Sequence, residues 1–258
     1  MMTPDLLAEL LTRAIATAAV VVGITIAVER LGPAIGGVLG GLPIVIGPGF
    51  YFLMLEQSTE FTIGAAISSL IALTASQAFL MGYIAVARQS RAAIFVASLC
   101  WLLAALLLTW VRSSPWVGVV LFLVATATVR RLARYFERSH TKPRVRGGLI
   151  ALFGRGIAAG LLVALVTVAA DRLGPVWAGF LMTYPIALTV ISISVHRRSG
   201  ADVVIATLRS IMIGIGSVAA FTFTLAITLL PFGAFWAFSA SLVAGIGVTA
   251  GLTLRSLR

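Results

Sequence analysis

Residues 13–44 of this chain are written a second time at residues 155–186. Arg30 and Arg172 set the offset at 142 residues, and sliding the sequence by that amount without a gap gives 14 identities in the 32 positions. Chance in so biased a composition would give roughly three. Arg13 meets Arg155, "RLGP" at 30–33 meets "RLGP" at 172–175, Gly37 meets Gly179, and Pro43-Ile44 meets Pro185-Ile186. Glu29 and Glu60 fall on Asp171 and Asp202, so acidic character is kept where identity is not. The chain carries one unit twice, and its fold must accommodate both copies.

The solvent for those copies follows from composition. Of the 258 residues, 60% are hydrophobic and only 10% are charged. A soluble domain is roughly half apolar and about a quarter charged. A mean hydropathy of +1.09 over the whole length calls for lipid. One span needs about 20 apolar residues, so the length allows roughly nine or ten. Apolar stretches lie at about 6–28, 33–55, 62–87, 92–111, 115–133, 149–170, 174–195, 203–230 and 232–254. The expected fold is therefore an all-α integral membrane protein with about nine transmembrane helices. Four helices form each repeat, and the fifth, 115–133, has no counterpart in the second copy. Residues 1–112 are the first repeat, 113–148 a linker helix with a basic loop, and 149–258 the second repeat.

An odd helix between two four-helix units turns the second unit upside down, and the charges point the same way. The net charge of +11 comes from 18 arginines and Lys142. These sit between apolar stretches, where they read as topology signals rather than as a nucleic-acid surface. The long polar interval "RRLARYFERSHTKPRVRGG" holds seven basic residues and one acid, Glu137, which places it in the cytoplasm. Arg88, Arg91, Arg197, Arg198, Arg255 and Arg258 then fall inside by alternation, and Glu56, Glu60 and the "LLPFG" turn fall outside. The N-terminus is expected outside and the C-terminus in the cytoplasm of a bacterial inner membrane. The start, "MMTPDLLAEL", lacks a basic leader region, so the first apolar stretch reads as a retained span. Cys100 is the single cysteine and excludes an intrachain disulfide.

The repeated phrase is also the candidate site. "GPAIGGVLGGLPIVIGPG" places seven glycines and three prolines in 18 residues of an expected span. Proline inside a helix removes a backbone hydrogen bond, and in lipid the freed carbonyl must be satisfied by protein or by cavity water. Broken helices at corresponding places in two inverted halves point to a transport site. Gly41, Pro43, Gly47 and Pro48 in the first copy, and Thr183, Tyr184 and Pro185 in the second, are the candidate binding residues. Four-residue glycine spacing (Gly32, Gly36, Gly40) reads equally as a close-packing seam. Pro33 and Pro175 suit the first turn of a helix, where no amide donor is needed.

Arg13 and Arg155 add charge to that picture. Each lies about 10 Å inside its expected span, where a cation costs a few kcal/mol unless paired or hydrated. A snorkelling side chain is the plain alternative, but the position recurs in an inverted copy, and an anionic ligand would neutralise both. Gln77, with Ser76 and Thr74, could line the same cavity or bond between helices. His140 and His196 share no metal-ligand spacing with other donors. With no nucleophile–base pair, phosphate loop or metal cluster, the sequence suggests neither catalysis nor a cofactor.

The stretch "GFLMTYPIALTVISISVHRRSGADVVIATLRSIMIGIGS" resembles the GlpM family of small four-helix bacterial inner-membrane proteins. The positions that carry the likeness are Gly179, Pro185, the His196–Asp202 turn and "ATLRS" with Arg209. The first half keeps Gly37 and Pro43 but has Ile67 in place of Arg209. The resemblance implies fold and location rather than an activity. The architecture is also similar to that of small multidrug resistance exporters, whose first helix carries an acid; Arg13 and Arg155 stand here instead, which disfavours cation export. Duplicated fluoride-type channels share the plan, but their asparagine-containing pore motif is absent. The expected function is secondary transport of a small anionic or polar organic solute by alternating access. A passive anion channel and a non-transporting scaffold are the alternatives. The expected partners are the lipid bilayer and the solute, with a homodimer left open and nucleic acid excluded.

Overall fold

A computed structural model of the chain describes residues 46–136, 149–168 and 170–256, together with residues 8, 11, 12, 14–16, 18, 19 and 22. Every regular element among the described residues is helical. In chain order they are α1 (Ile46–Glu56), α2 (Thr59–Val86), α3 (Ser90–Leu108), α4 (Pro115–Ala133, extended by a 3₁₀ turn at Arg134–Phe136), α5 (Leu149–Val168), α6 (Ala170–Met182), α7 (Ile186–Gly214) and α8 (Gly216–Ser256). Thr59–Val86, Pro115–Phe136 and the segment Gly200–Leu252 are long and apolar enough to cross a membrane, and Ala92–Leu108 and Gly156–Val166 are shorter apolar helices.

Local chemistry starts and stops these helices where the sequence suggests. The Ser58 hydroxyl accepts from the Phe61 amide at 3.1 Å and caps α2. Pro115 opens α4, where its missing donor is harmless. Pro175 opens the main part of α6 after Gly174 leaves the helical region. Within α8, Gly233 takes φ 76°, ψ 169°, a left-handed value that costs glycine little. There the chain reverses. A β-carbon on Gly216 would lie 3.7 Å from Val248, and the rings of Phe221 and Phe238 are 5.8 Å apart. A continuous helix would separate either pair by more than about 20 Å at 1.5 Å per residue, so α8 is a helical hairpin with its tip at "LLPFG".

α2 is the central helix. Of its most apolar window 72% is buried, against 22% for α4. Leu70, Phe79, Leu80 and Ile84 fill the core around it with Trp101, Phe122, Leu208 and Met212. A second cluster gathers Phe50, Leu53, Val163, Met182 and Phe221. The outward faces remain apolar: Leu103 and Leu107 on α3, Leu123 and Val124 on α4, and Leu161 and Leu165 on α5 are exposed. Water would penalise such a surface and hydrocarbon would not.

The two ends of the bundle differ in character. Arg88, just beyond α2, donates to Asp202 at 2.9 Å and to the Phe136 carbonyl at 3.4 Å, which gathers the end of α2, the end of α4 and the middle of α7. Arg130, Arg131 and Arg134 lie at this same end. Since α3 and α4 run away from it and back, Trp110 and Trp116 lie at the opposite end, both exposed. Trp116 packs edge-on to Phe223 of the α8 hairpin at 5.1 Å. One basic end and one aromatic end fit the two interfaces of a bilayer.

α5 makes a close crossing with described residues near the N-terminus. A β-carbon on Gly160 would run into the Ala14 carbonyl, and one on Gly156 would lie 2.8 Å from Val22 and 3.3 Å from the Ala18 carbonyl. Ala14, Ala18 and Val22 therefore pass α5 in antiparallel order. Adding the 142-residue offset to Ala14 gives Gly156, and subtracting it from Gly160 gives Ala18. The two approaches, Ala14 with Gly160 and Ala18 with Gly156, are thus exchanged by the 142-residue offset.

Candidate functional site

The site grows from one stripe of α2. Thr62, Ser69, Ser76 and Tyr83 recur every seven residues, which keeps them on one face, and each is at most 2% exposed. Hydroxyls so placed in an apolar span need partners, and all four have them. The Thr62 hydroxyl lies 3.1 Å from the Ser58 carbonyl, Ser69 donates to the Gly179 carbonyl at 2.8 Å, and Ser76 donates to the Thr183 carbonyl at 3.3 Å. The Tyr83 hydroxyl bonds His196 Nδ1 at 2.9 Å.

Ser69 and Ser76 serve the first helix break. α6 ends at Met182 and α7 begins at Ile186, because Pro185 has no amide to continue the ladder. The last turn tightens: Thr183 and Tyr184 donate to the carbonyls three residues back, Phe180 and Leu181. The Thr183 hydroxyl donates to the Phe180 carbonyl at 2.9 Å. Gly179 lets α2 approach here, since a β-carbon on it would collide with the Ala65 carbonyl and lie 2.9 Å from the Ser69 nitrogen. Tyr184 is half-buried and meets Trp101 of α3 edge-on, with ring centroids 4.9 Å apart at 87°.

A second break lies at Ile215, between α7 and α8. The Val218 amide bonds the Ile215 carbonyl rather than that of Gly214, and the Ser217 hydroxyl takes the Gly214 carbonyl at 2.8 Å. Gln77 Nε2 reaches across from α2 and donates to the Met212 carbonyl at 3.1 Å and to the Thr126 hydroxyl of α4 at 3.0 Å. Four buried polar atoms find no hydrogen-bond partner among the described residues: Gln77 Oε1, Thr74 Oγ1, Trp101 Nε1 and Ser192 Oγ. Buried polar groups are nearly always paired, so these four atoms are the candidate contacts for a ligand or water among the described residues.

The candidate residues read from the sequence distribute as follows. Gln77, fully buried, sits at the second break; Thr183, Tyr184 and Pro185 form the first. Gly47 and Pro48 lie in the first turn of the described part of α1, and the residues that precede Ile46 lie outside the described ones. Gly49, next to them, abuts Met182 at the end of α6. Arg155 lies in α5 beside Gly156. Arg13, Gly41 and Pro43 lie outside the described residues. Sequence reasoning passed over Thr62, Ser69, Tyr83, Trp101, Thr126 and Ser192. The seven-residue spacing of the α2 stripe is the signal that could have found three of them.

At the basic end, four residues before Gly200 turns the chain at φ 81°, burial holds the His196 imidazole below the usual 6.5. The Arg88–Asp202 pair is exposed, where water screening leaves such contacts worth little. Among the described residues, no three histidine, cysteine, aspartate or glutamate side chains gather to hold a metal. What the site offers is hydrogen bonding from neutral groups around two interrupted helices. Comparison of the chain with protein-family models, with curated proteins and with solved structures found no match.

Proposed function

We propose that this chain is a secondary transporter of a small anionic or polar organic solute, built from two inverted four-helix repeats that rock around a shared polar centre. The carrying observation is how equivalent segments of the two copies pair. α2 shifted by 142 residues falls on the second half of α7 and the first arm of α8. From Arg88 back to Gln77 on α2, the partner runs forward from Asp202 to Met212, so the equivalents are antiparallel. The same shift carries Thr74 to Gly216, beside the break at Ile215. The Ala14–Gly160 and Ala18–Gly156 approaches add a second antiparallel pair centred on equivalents. An in-plane pseudo-twofold predicts this pairing, and interrupted helices beside such an axis are where carriers bind their cargo.

The solute's character rests on the arginines and on the unpaired donors. An arginine stands at the same place in both copies, Arg13 and Arg155, and the Trp101 N–H has no acceptor among the described residues. In this reading the basic end is cytoplasmic, with the N-terminus outside, in a bacterial inner membrane. Reconstituted protein should show saturable, gradient-driven uptake of anionic metabolites. Non-saturating flux would make it a channel, and no flux with any solute would sink the transport reading. Arg13→Ala and Arg155→Ala, matched for inserted protein, should each weaken uptake. Unchanged affinity in both removes the anion from the proposal.

A further inference from the structure

We propose that Gln77, Thr74, Thr126 and the Met212 carbonyl form a binding site for a small monovalent cation. It deepens the transporter reading, on which its role as the coupling ion rests. Both hydrogen bonds of the Gln77 side chain use Nε2 as donor, to Met212 O and Thr126 Oγ1, which fixes the amide orientation and leaves Oε1 without a partner among the described residues. Gln77 is wholly buried, so bulk water does not reach that oxygen. Thr74 Oγ1, one turn away on the same helix, is also buried and unmatched, and residues three apart on a helix are neighbours.

Gln77 Oε1 can only accept, and the Thr74 hydroxyl beside it can turn its proton away and present a lone pair to the same point. Oε1 has two lone pairs, and the Met212 and Thr126 oxygens each retain capacity beyond the Gln77 bond. An anion would find the Oε1 lone pairs facing it. A cation or a strong hydrogen-bond donor would find a neutral oxygen shell of the kind that replaces ion hydration in selectivity filters. Charge sets the valence. Among the described residues no cluster of acids gathers anywhere in the chain, and a doubly charged ion in a low-dielectric site demands carboxylates. A singly charged ion does not.

Position agrees with chemistry. The three contributing segments are α2, α4 and the break between α7 and α8, where helix geometry is interrupted at Ile215. Non-helical backbone at membrane depth is tolerated where it lines a site, and interrupted helices supply carbonyls to coupling ions. Thr74 and Ile215 straddle the centre about which the two copies pair. Relative movement of the repeats would alter the Gln77–Met212 bond, and with it the oxygen shell.

The test uses the purified full chain in detergent, with Na⁺ as the probe. Melting is followed in NaCl, KCl and N-methyl-D-glucamine chloride at constant ionic strength and pH. The proposal expects a saturable rise in melting temperature with Na⁺, or with both alkali ions, over N-methyl-D-glucamine. Thr74→Val should shift the half-saturating concentration upward by roughly tenfold, the scale of one lost hydrogen bond to a charge. Thr74→Val leaves the Gln77 bridge to Met212 and Thr126 in place, so it stands even if Gln77→Leu fails to fold. Identical melting in the three salts overturns the site, as does a wild-type Na⁺ response in Thr74→Val. Uptake separates the two readings. A chain that binds Na⁺ but moves no solute overturns transport and leaves the site standing. Undiminished uptake with N-methyl-D-glucamine replacing both alkali ions overturns the coupling role.

Discussion

Replacing Gly179 by alanine tests whether α2 and α6 are held at the separation described. The new methyl would meet the Ala65 carbonyl, the Ser68 β-carbon at 2.9 Å and the Ser69 nitrogen at 2.9 Å. Two of these are backbone atoms, which cannot rotate away, so the helices must part. Overpacking of this kind costs about 1–3 kcal/mol. Parting also stretches the 2.8 Å Ser69–Gly179 bond, a loss of about 1 kcal/mol. Against this, alanine is better than glycine in a helix by about 1 kcal/mol. The net expectation is a destabilisation of about 1–3 kcal/mol. Gly154→Ala is the control, since a β-carbon there meets nothing within 4 Å, and it should keep the propensity gain. Unfolding in mixed micelles, followed by circular dichroism, reads both. If Gly179→Ala proves as stable as Gly154→Ala, the close crossing is wrong, and with it the claim that Ser69 and Ser76 close the break at Pro185.

Two further outcomes are expected. Because burial lowers the pKa of His196, its neutral form stabilises the fold. That contribution is complete above the unfolded value of about 6.5 and is lost as pH falls through the lower folded value. Melting should therefore decline toward pH 5, and an undiminished decline in His196→Ala would assign it elsewhere. Cysteines placed at Ser58 and Pro231 in a Cys100→Ser background should label from one side of the membrane and one at Thr141 from the other. Labelling of Ser58 and Gly200 positions from the same side would end the inverted arrangement.

Much of the helical framework was legible because apolar runs and their punctuation are local properties. The expected stretches 62–87, 92–111, 115–133 and 149–170 lie over α2, α3, α4 and α5. The turn at "LLPFG" is the hairpin tip at Gly233, and Pro185 does end a helix. The expected helix 203–230 is interrupted at Ile215, a position with no proline to announce it. The reason lies in partners remote in sequence: Gln77 serves the Met212 carbonyl there. The same holds for Ser69 and Ser76, whose acceptors are the backbone oxygens of Gly179 and Thr183. Every residue has a carbonyl, so sequence cannot say which one a hydroxyl will meet. Trp101 drew no notice because its signature is an N–H without an acceptor, visible only once its neighbours are placed.

The stripe on α2 also bears on how the chain is made. Ser69, Ser76 and Tyr83 find their partners 110, 107 and 113 residues further on. At roughly 5–20 residues per second, those partners leave the ribosome several seconds or more after α2 does. For that interval a helix with three polar groups awaiting distant partners sits at the insertion machinery. Until then each serine can turn its hydroxyl back to a carbonyl of its own helix, as Thr62 does to Ser58, whereas the Tyr83 hydroxyl stands too far from its own backbone to do so. The pairing of Tyr83 therefore waits on the synthesis of His196, and a nascent chain stalled before that residue should be cleaved by proteases more readily than the complete one.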